Sequence, residues 1–150
     1  MGNALIVRND ITINAPAAVV WDTLINPAKT KQYMFNCETV SDWKQGSELL
    51  WKTEYEGAEL IAVKGIIEEI IPNERLTYTT IDPNSNIDDT SENYLKVTYQ
   101  LTAQDGQTLL VVTQGDYSTV AEGDRRYKEA MDAGGWSSIL TEIKKVAEAN

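Results

Sequence analysis

No histidine occurs in this chain, and that absence removes several kinds of chemistry at once. Without an imidazole there is no Ser-His-Asp triad, no histidine-ligated zinc and no proton shuttle working near neutral pH. The one cysteine, Cys37, cannot close an internal disulfide and has no histidine to activate it, so it reads as a small packing residue in a reducing compartment. Remaining chemistry must rest on carboxylates, tyrosines or lysines. Glu54 and Glu68 fall on strand faces that read as solvent, where a charge is simply hydrated, and no carboxylate pair is clearly placed inside. The stretch DPNSNIDDTSEN, residues 82–93, spaces Asp82, Asn84 and Asn86 as a calcium loop would. Ile87, however, occupies the position that needs glycine, Asn93 replaces the bidentate glutamate, and strands rather than helices flank it. It reads as a solvated loop that could cover a pocket mouth, and no metal or other cofactor is expected.

Charge narrows the partners. Thirteen basic against 23 acidic residues leave a net charge of -10, with only Lys29/Lys31 and Arg125-Arg126-Lys128 as local basic groups, so a phosphate backbone would be repelled and nucleic acid is not an expected partner. A chain of 150 residues is read as one domain, residues 1–150, long enough to bury a substantial core. No apolar run approaches the length of a membrane span. The opening MGNALIVRND lacks the pattern of a signal peptide, and Ile6 stands where a myristoylation signal needs serine or threonine. The expectation is a cytoplasmic protein without stable membrane anchoring.

The elements that would position a site follow from periodicity. Leu5 to Asn14 alternates as a first strand, with Leu5, Val7, Ile11 and Ile13 mostly on one side. Ala15-Pro16 opens a helix whose apolar face is Val20, Trp21, Leu24 and Ile25; Pro27 ends it, and Asn26 caps a second short helix running to Tyr33. Strands are expected from Phe35 to Val40, at Leu49 to Tyr55 with Leu49, Trp51, Thr53 and Tyr55 inward, and from Leu60 to Ile71, where Gly65 and the doubled isoleucines predict a bulge or bend. Leu76 to Ile81, Tyr94 to Ala103 and, after the Asp105-Gly106 hairpin, Thr108 to Gln114 complete about seven strands. Short connections make the sheet antiparallel.

The chain closes with GGWSSILTEIKKVAEAN, in which Trp136, Ile139, Leu140, Ile143, Val146 and Ala147 form one helical face. Upstream, Val120, Tyr127 and Met131 form a second stripe, capped by Ser118 or Thr119 and carrying Glu122 and Asp124 in its first turn. The spacing predicts a helix over roughly 120–148. The two stripes point roughly 140° apart at 100° per residue, so a kink or a change of contact is expected at Gly134-Gly135.

Strand, two short helices, six strands and a long last helix is the order of a helix-grip fold. The stretches ITINAPAAVVWDTLINPAKTKQYMF, VSDWKQGSELLWK, GIIEEIIPNERLTYTT, SENYLKVTYQLT, TLLVVTQGDYST and GGWSSILTEIKK resemble bacterial proteins similar to the C-terminal domain of the activator of the heat-shock-ninety chaperone ATPase. These belong to the START-like, or SRPBCC, superfamily. The resemblance implies an α+β fold in which a curved antiparallel sheet of about seven strands wraps a long C-terminal helix and leaves a cavity between them. Two positions depart from the pattern. Asn36 stands where relatives often carry glycine, and Leu95 where a histidine is common, which favours binding over catalysis.

Strand phase and the resemblance together nominate the lining of that cavity: Trp51, Thr53 and Tyr55, then Tyr78, Tyr99, Val112 and Gln114, with Trp136, Ile139, Leu140 and Ile143 from the helix. A buried phenol or amide needs a partner, and a ligand could supply it. The bland alternative is that the same residues fill an ordinary core. Trp21 is read as packing the first helix and Trp43 as partly exposed in a turn. The leading function is carriage of a small apolar or aromatic molecule. The alternatives are a protein-interaction module akin to the chaperone activator, which would need a protein partner, and a cyclase- or hydrolase-type enzyme.

Overall fold

The computed structural model describes residues 4–34 and 36–149. Strand β1 (Val7–Ile13) leads into helices α1 (Ala17–Ile25) and α2 (Pro27–Tyr33), then β2 (Glu38–Ser41), β3 (Glu48–Tyr55), β4 (Ala58–Ile71), β5 (Arg75–Thr80), β6 (Leu95–Gln104) and β7 (Gln107–Gly115). The chain ends in α3 (Gly123–Asp132) and α4 (Ser137–Glu148). The seven strands form one antiparallel sheet in the order β1-β7-β6-β5-β4-β3-β2. The two short helices carry the chain from one edge to the other, after which it meanders back strand by strand. Pro16 occupies the start of α1, and the Asn26 side chain accepts from the Ala28 N–H at 3.0 Å to cap α2. The expected strand Phe35–Val40 is observed from Glu38; Phe35 lies outside the described residues. Among the described residues no helix is long and apolar enough to cross a membrane.

Two bulges bend β4, as the sequence suggested. Ala62 is left over between the pairs Trp51 with Val63 and Lys52 with Ile61, and Glu68 between Ile67 with Tyr78 and Glu69 with Thr77. Gly65 sits at the bend because a Cβ there would fall 1.6 Å from the Thr79 carbonyl oxygen. Helix α4 lies along β1 and packs against α1 and α2, and its Leu140, Ile143 and Ala147 join Val20, Leu24, Tyr33, Leu49 and Leu110 in the core.

The closing helix is not continuous. Gly134 and Gly135 adopt φ of +88° and +61°, which ends α3 at Asp132 and restarts the helix at Ser137. The start also differs: Tyr117–Thr119 forms a separate 3-10 turn in which Asp116, not Ser118 or Thr119, caps by accepting from the Ser118 N–H at 2.8 Å. Val120 is buried, Tyr127 half-buried and Met131 exposed, so the upstream stripe covers the sheet only at its beginning.

Candidate ligand cavity

Four aromatic rings line up under the junction of α3 and α4. Trp51 on β3, Tyr78 on β5, Tyr99 on β6 and Trp136 at the start of α4 succeed one another with centroid separations of 6.3, 5.7 and 5.8 Å, the last pair nearly perpendicular at 85°. The strands place them: Tyr78 faces Val97 on β6, and Tyr99 faces Leu76 and Val112, so alternate residues of adjacent strands fall on the inner face. Trp136 is aimed by a clamp to β1. Its backbone N–H donates to Asn9 Oδ1 at 2.9 Å, Asn9 Nδ2 donates to the Gly134 carbonyl at 3.4 Å, and Gly135 approaches β1 so closely that a Cβ would lie 2.4 Å from Asn9 Oδ1.

The polar atoms of this cluster satisfy one another. The Tyr78 and Tyr99 hydroxyls share a hydrogen bond at 2.9 Å, and the Trp136 indole Nε1–H donates to Gln114 Oε1 at 2.9 Å. The partners that a ligand was expected to supply are thus present in the protein. Burial pushes the Tyr78 phenol well above its ordinary pKa, reinforced by Tyr99; burial also raises Tyr99, opposed by its bond from Tyr78. Both stay protonated at neutral pH, neutral donors in an uncharged wall.

A cavity of about 100 Å³ remains beside these rings, lined by Trp51, Tyr78, Gln114 and Trp136 together with Met34, Val63, Thr80 and Val97. It shares Val63, Thr80 and Gln114 with a cleft of about 430 Å³ that reaches the surface beneath α3, bordered by Ile81, Asp82, Leu95, Tyr117, Arg126, Glu129 and Ala130. Of the nominated residues, Trp51, Tyr78, Gln114 and Trp136 therefore meet at one hollow. Tyr99 stands behind Tyr78, fully buried, and Val112, Leu140 and Ile143 are packed core with exposures of 0–1%. Ile139 is half-buried on α4, away from the hollow. Thr53 lines a different depression of about 430 Å³, among Lys31, Glu38, Lys52 and Glu59. Tyr55 is 65% exposed. Its strand phase is that of Trp51, but β3 passes from buried to exposed toward its Glu56-Gly57 turn, so the inner face there is uncovered.

Sequence reasoning missed Met34, Val63, Thr80 and Val97. Val97 and Thr80 share the inward phase of Tyr99 and Tyr78 and were open to the same argument. Val63 was hidden by the Ala62 bulge, which breaks the alternation on β4, and Met34 by its place at the C-terminal end of α2. The 82–93 loop borders the cleft through Asp82, whose Oδ1 accepts from the Asn84 N–H at 2.8 Å, while Lys64 and Tyr94 hold Asp89.

The sequence model of the family described as Activator of Hsp90 ATPase homolog 1-like protein matches residues 14–148. The chain belongs to that family. Its fold is accordingly START-like, a sheet gripping a C-terminal helix. A solved solution structure from Cytophaga hutchinsonii is 35% identical, with a TM-score of 0.78 over 99% of this chain and 97% of that one. A crystal structure from Mesorhizobium loti shares 17% identity at a TM-score of 0.72, covering 97% and 98% of the two chains. The Aha1 dimer from Colwellia psychrerythraea shares 16% at 0.69, covering 95% and 96%. The last two share the fold. No curated protein matches the chain.

Proposed function

We propose that this member of the Activator of Hsp90 ATPase homolog 1-like family binds a small, largely apolar molecule, a single aromatic ring in size, in the cavity between the sheet and the α3–α4 junction. The observation that carries this reading is the continuity of a mostly apolar, aromatic-walled hollow with an open cleft through Val63, Thr80 and Gln114. Ligand sites are typically apolar concavities with a few fixed polar groups. Volume limits the occupant. About 100 Å³ corresponds to the space of roughly three waters, far below what a sterol or long acyl chain needs, so only a compact end of a ligand is enclosed and the remainder lies in the cleft. Because the lining hydrogen bonds are already made, the walls are preorganised, and shape rather than rescue of unpaired groups would select the ligand.

Titration with cinnamamide, a neutral single-ring probe, tests this. Saturable shifts of the Trp136 indole and Gln114 side-chain NMR signals are expected. Val63→Phe, at the half-buried neck, should abolish them while lowering the unfolding free energy by no more than about 1–3 kcal/mol. A co-chaperone-like protein-interaction module is the second reading, favoured by the family itself. Absence of saturation with the parent protein would make it the better one, to be tested by adding the chain to an Hsp90 ATPase assay.

A further inference from the structure

The cleft leading to the cavity has an uneven distribution of charge. It is bordered by Arg126 of α3 and by two carboxylates, Asp82 and Glu129. Glu129 is engaged by Arg125, whose Nη1 lies 3.0 Å from Oε1, and Arg125 also reaches Glu122 at 3.0 Å. Asp82 turns into its own loop, accepting from the Asn84 N–H. Arg126 is different. Among the described residues it meets no carboxylate within ion-pair distance, and the one hydrogen bond of its side chain goes to the Ala121 carbonyl at 3.3 Å, leaving most of the five guanidinium donors without a protein acceptor on a half-buried residue. A guanidinium fork with free donors on the wall of a cleft is available to pair a planar anion.

Tyr117, on the same cleft, points the same way. The residue is only 5% exposed, its ring packs edge-on against Tyr127 at 5.8 Å, and among the described residues its hydroxyl has no hydrogen-bond partner. Nor is that hydroxyl sealed off, since no buried side-chain polar atom is left without a partner among the described residues. Burial raises the Tyr117 phenol's pKa and the nearby Arg126 charge lowers it, which places the two groups within electrostatic reach of each other. A phenolic donor and a fork of guanidinium donors at the mouth of an apolar hollow suit one planar anionic group.

We infer that the ligand of this cleft is amphipathic, an aromatic or otherwise compact apolar body that enters the Trp51–Tyr78–Trp136 cavity and a carboxylate that Arg126 pairs at the cleft mouth with Tyr117 as a second donor. This rests on the ligand-binding reading above and deepens it to a substrate class, aryl or arylalkyl carboxylic acids. The overall charge of -10 does not oppose it, because the choice is made by groups a few ångströms from the ligand while distant exposed acids are screened.

Isothermal titration of cinnamate against its neutral isostere cinnamamide tests the inference. The parent protein should bind cinnamate on the order of tenfold more tightly, the size of a charge-assisted hydrogen bond. Arg126→Gln should erase that preference by weakening cinnamate, with a much smaller effect on cinnamamide. Arg126→Lys should retain part of it, and Tyr117→Phe should reduce it by a few-fold. Lys128→Gln removes the same charge from the exposed face of α3 and should leave the preference intact. Equal affinities for the two probes, a preference that survives Arg126→Gln, or one lost equally in Lys128→Gln would overturn the inference while leaving the cavity reading in place. Failure of both probes to bind would overturn both.

Discussion

Helices α3 and α4 have the same amphipathic look in sequence and opposite fates in the structure. α4 buries Leu140, Ile143 and Ala147 almost completely, whereas Gly123 is the one fully buried residue of α3, which leaves Met131 51% exposed. The cause lies beneath them. Under α4 the layer is closed by β1, α1 and α2; under α3 lies the cleft, so Arg126, Glu129 and Ala130 border open space. One half of the closing segment holds the fold together and the other forms the rim of the candidate site. Gly134 and Gly135 make the division possible by turning the chain between them.

The comparison is most directly broken at the packed half. Trp136→Ala should cost about 3–5 kcal/mol and Leu140→Ala about 2–5 kcal/mol, read as a lower urea midpoint at unchanged slope. A midpoint near the parent's for either would mean that α4 does not hold the fold together. Trp43→Ala, at a half-buried turn position with φ of +56°, should cost far less.

Alkaline titration probes the same side of the molecule. Tyr33, Tyr78 and Tyr99 are held above their ordinary phenol values, each chiefly by burial. A raised folded pKa leaves its contribution to stability intact below the unfolded value of about 10 and removes it above, at up to about 1.4 kcal/mol per pH unit for each group. Phenolate absorbance from these residues should therefore appear only together with unfolding. Early, reversible ionisation of all seven tyrosines would contradict the buried cluster.

The hinge should separate the two glycines. Gly135→Ala combines a positive φ with a Cβ 2.4 Å from Asn9 Oδ1 and 2.8 Å from Val7 Cγ1, and should destabilise by about 1–3 kcal/mol. At Gly134 the nearest atom is the exposed Ser137 Oγ at 3.0 Å, so the same change should cost about 1 kcal/mol. The smallest effect belongs to α3, where Met131→Ala should stay within about 0.5 kcal/mol. Amide exchange should order the segment in the same way, slow over 139–146 and fast over 124–132.

Much of this arrangement could be read in the residues themselves. Alternation marked Leu49, Trp51, Tyr78 and Tyr99 as inward, because successive side chains of a strand point to opposite faces whatever the fold. Pro16, Asn26 and Pro27 marked the two short helices through their own backbone preferences, and Gly65 marked the bend in β4. These properties are local, so they belong to the sequence alone. Tertiary structure decided what each inward residue meets. Tyr55 shares the phase of Trp51 yet lies in solvent because nothing covers that end of β3. Tyr78 found Tyr99, 21 residues away, and Trp136 found Gln114, 22 residues away, so the groups that looked in need of a ligand became one another's partners. The size of the hollow and the isolation of Arg126 in it likewise depend on distances between elements far apart in the chain, and periodicity carries no information about those distances.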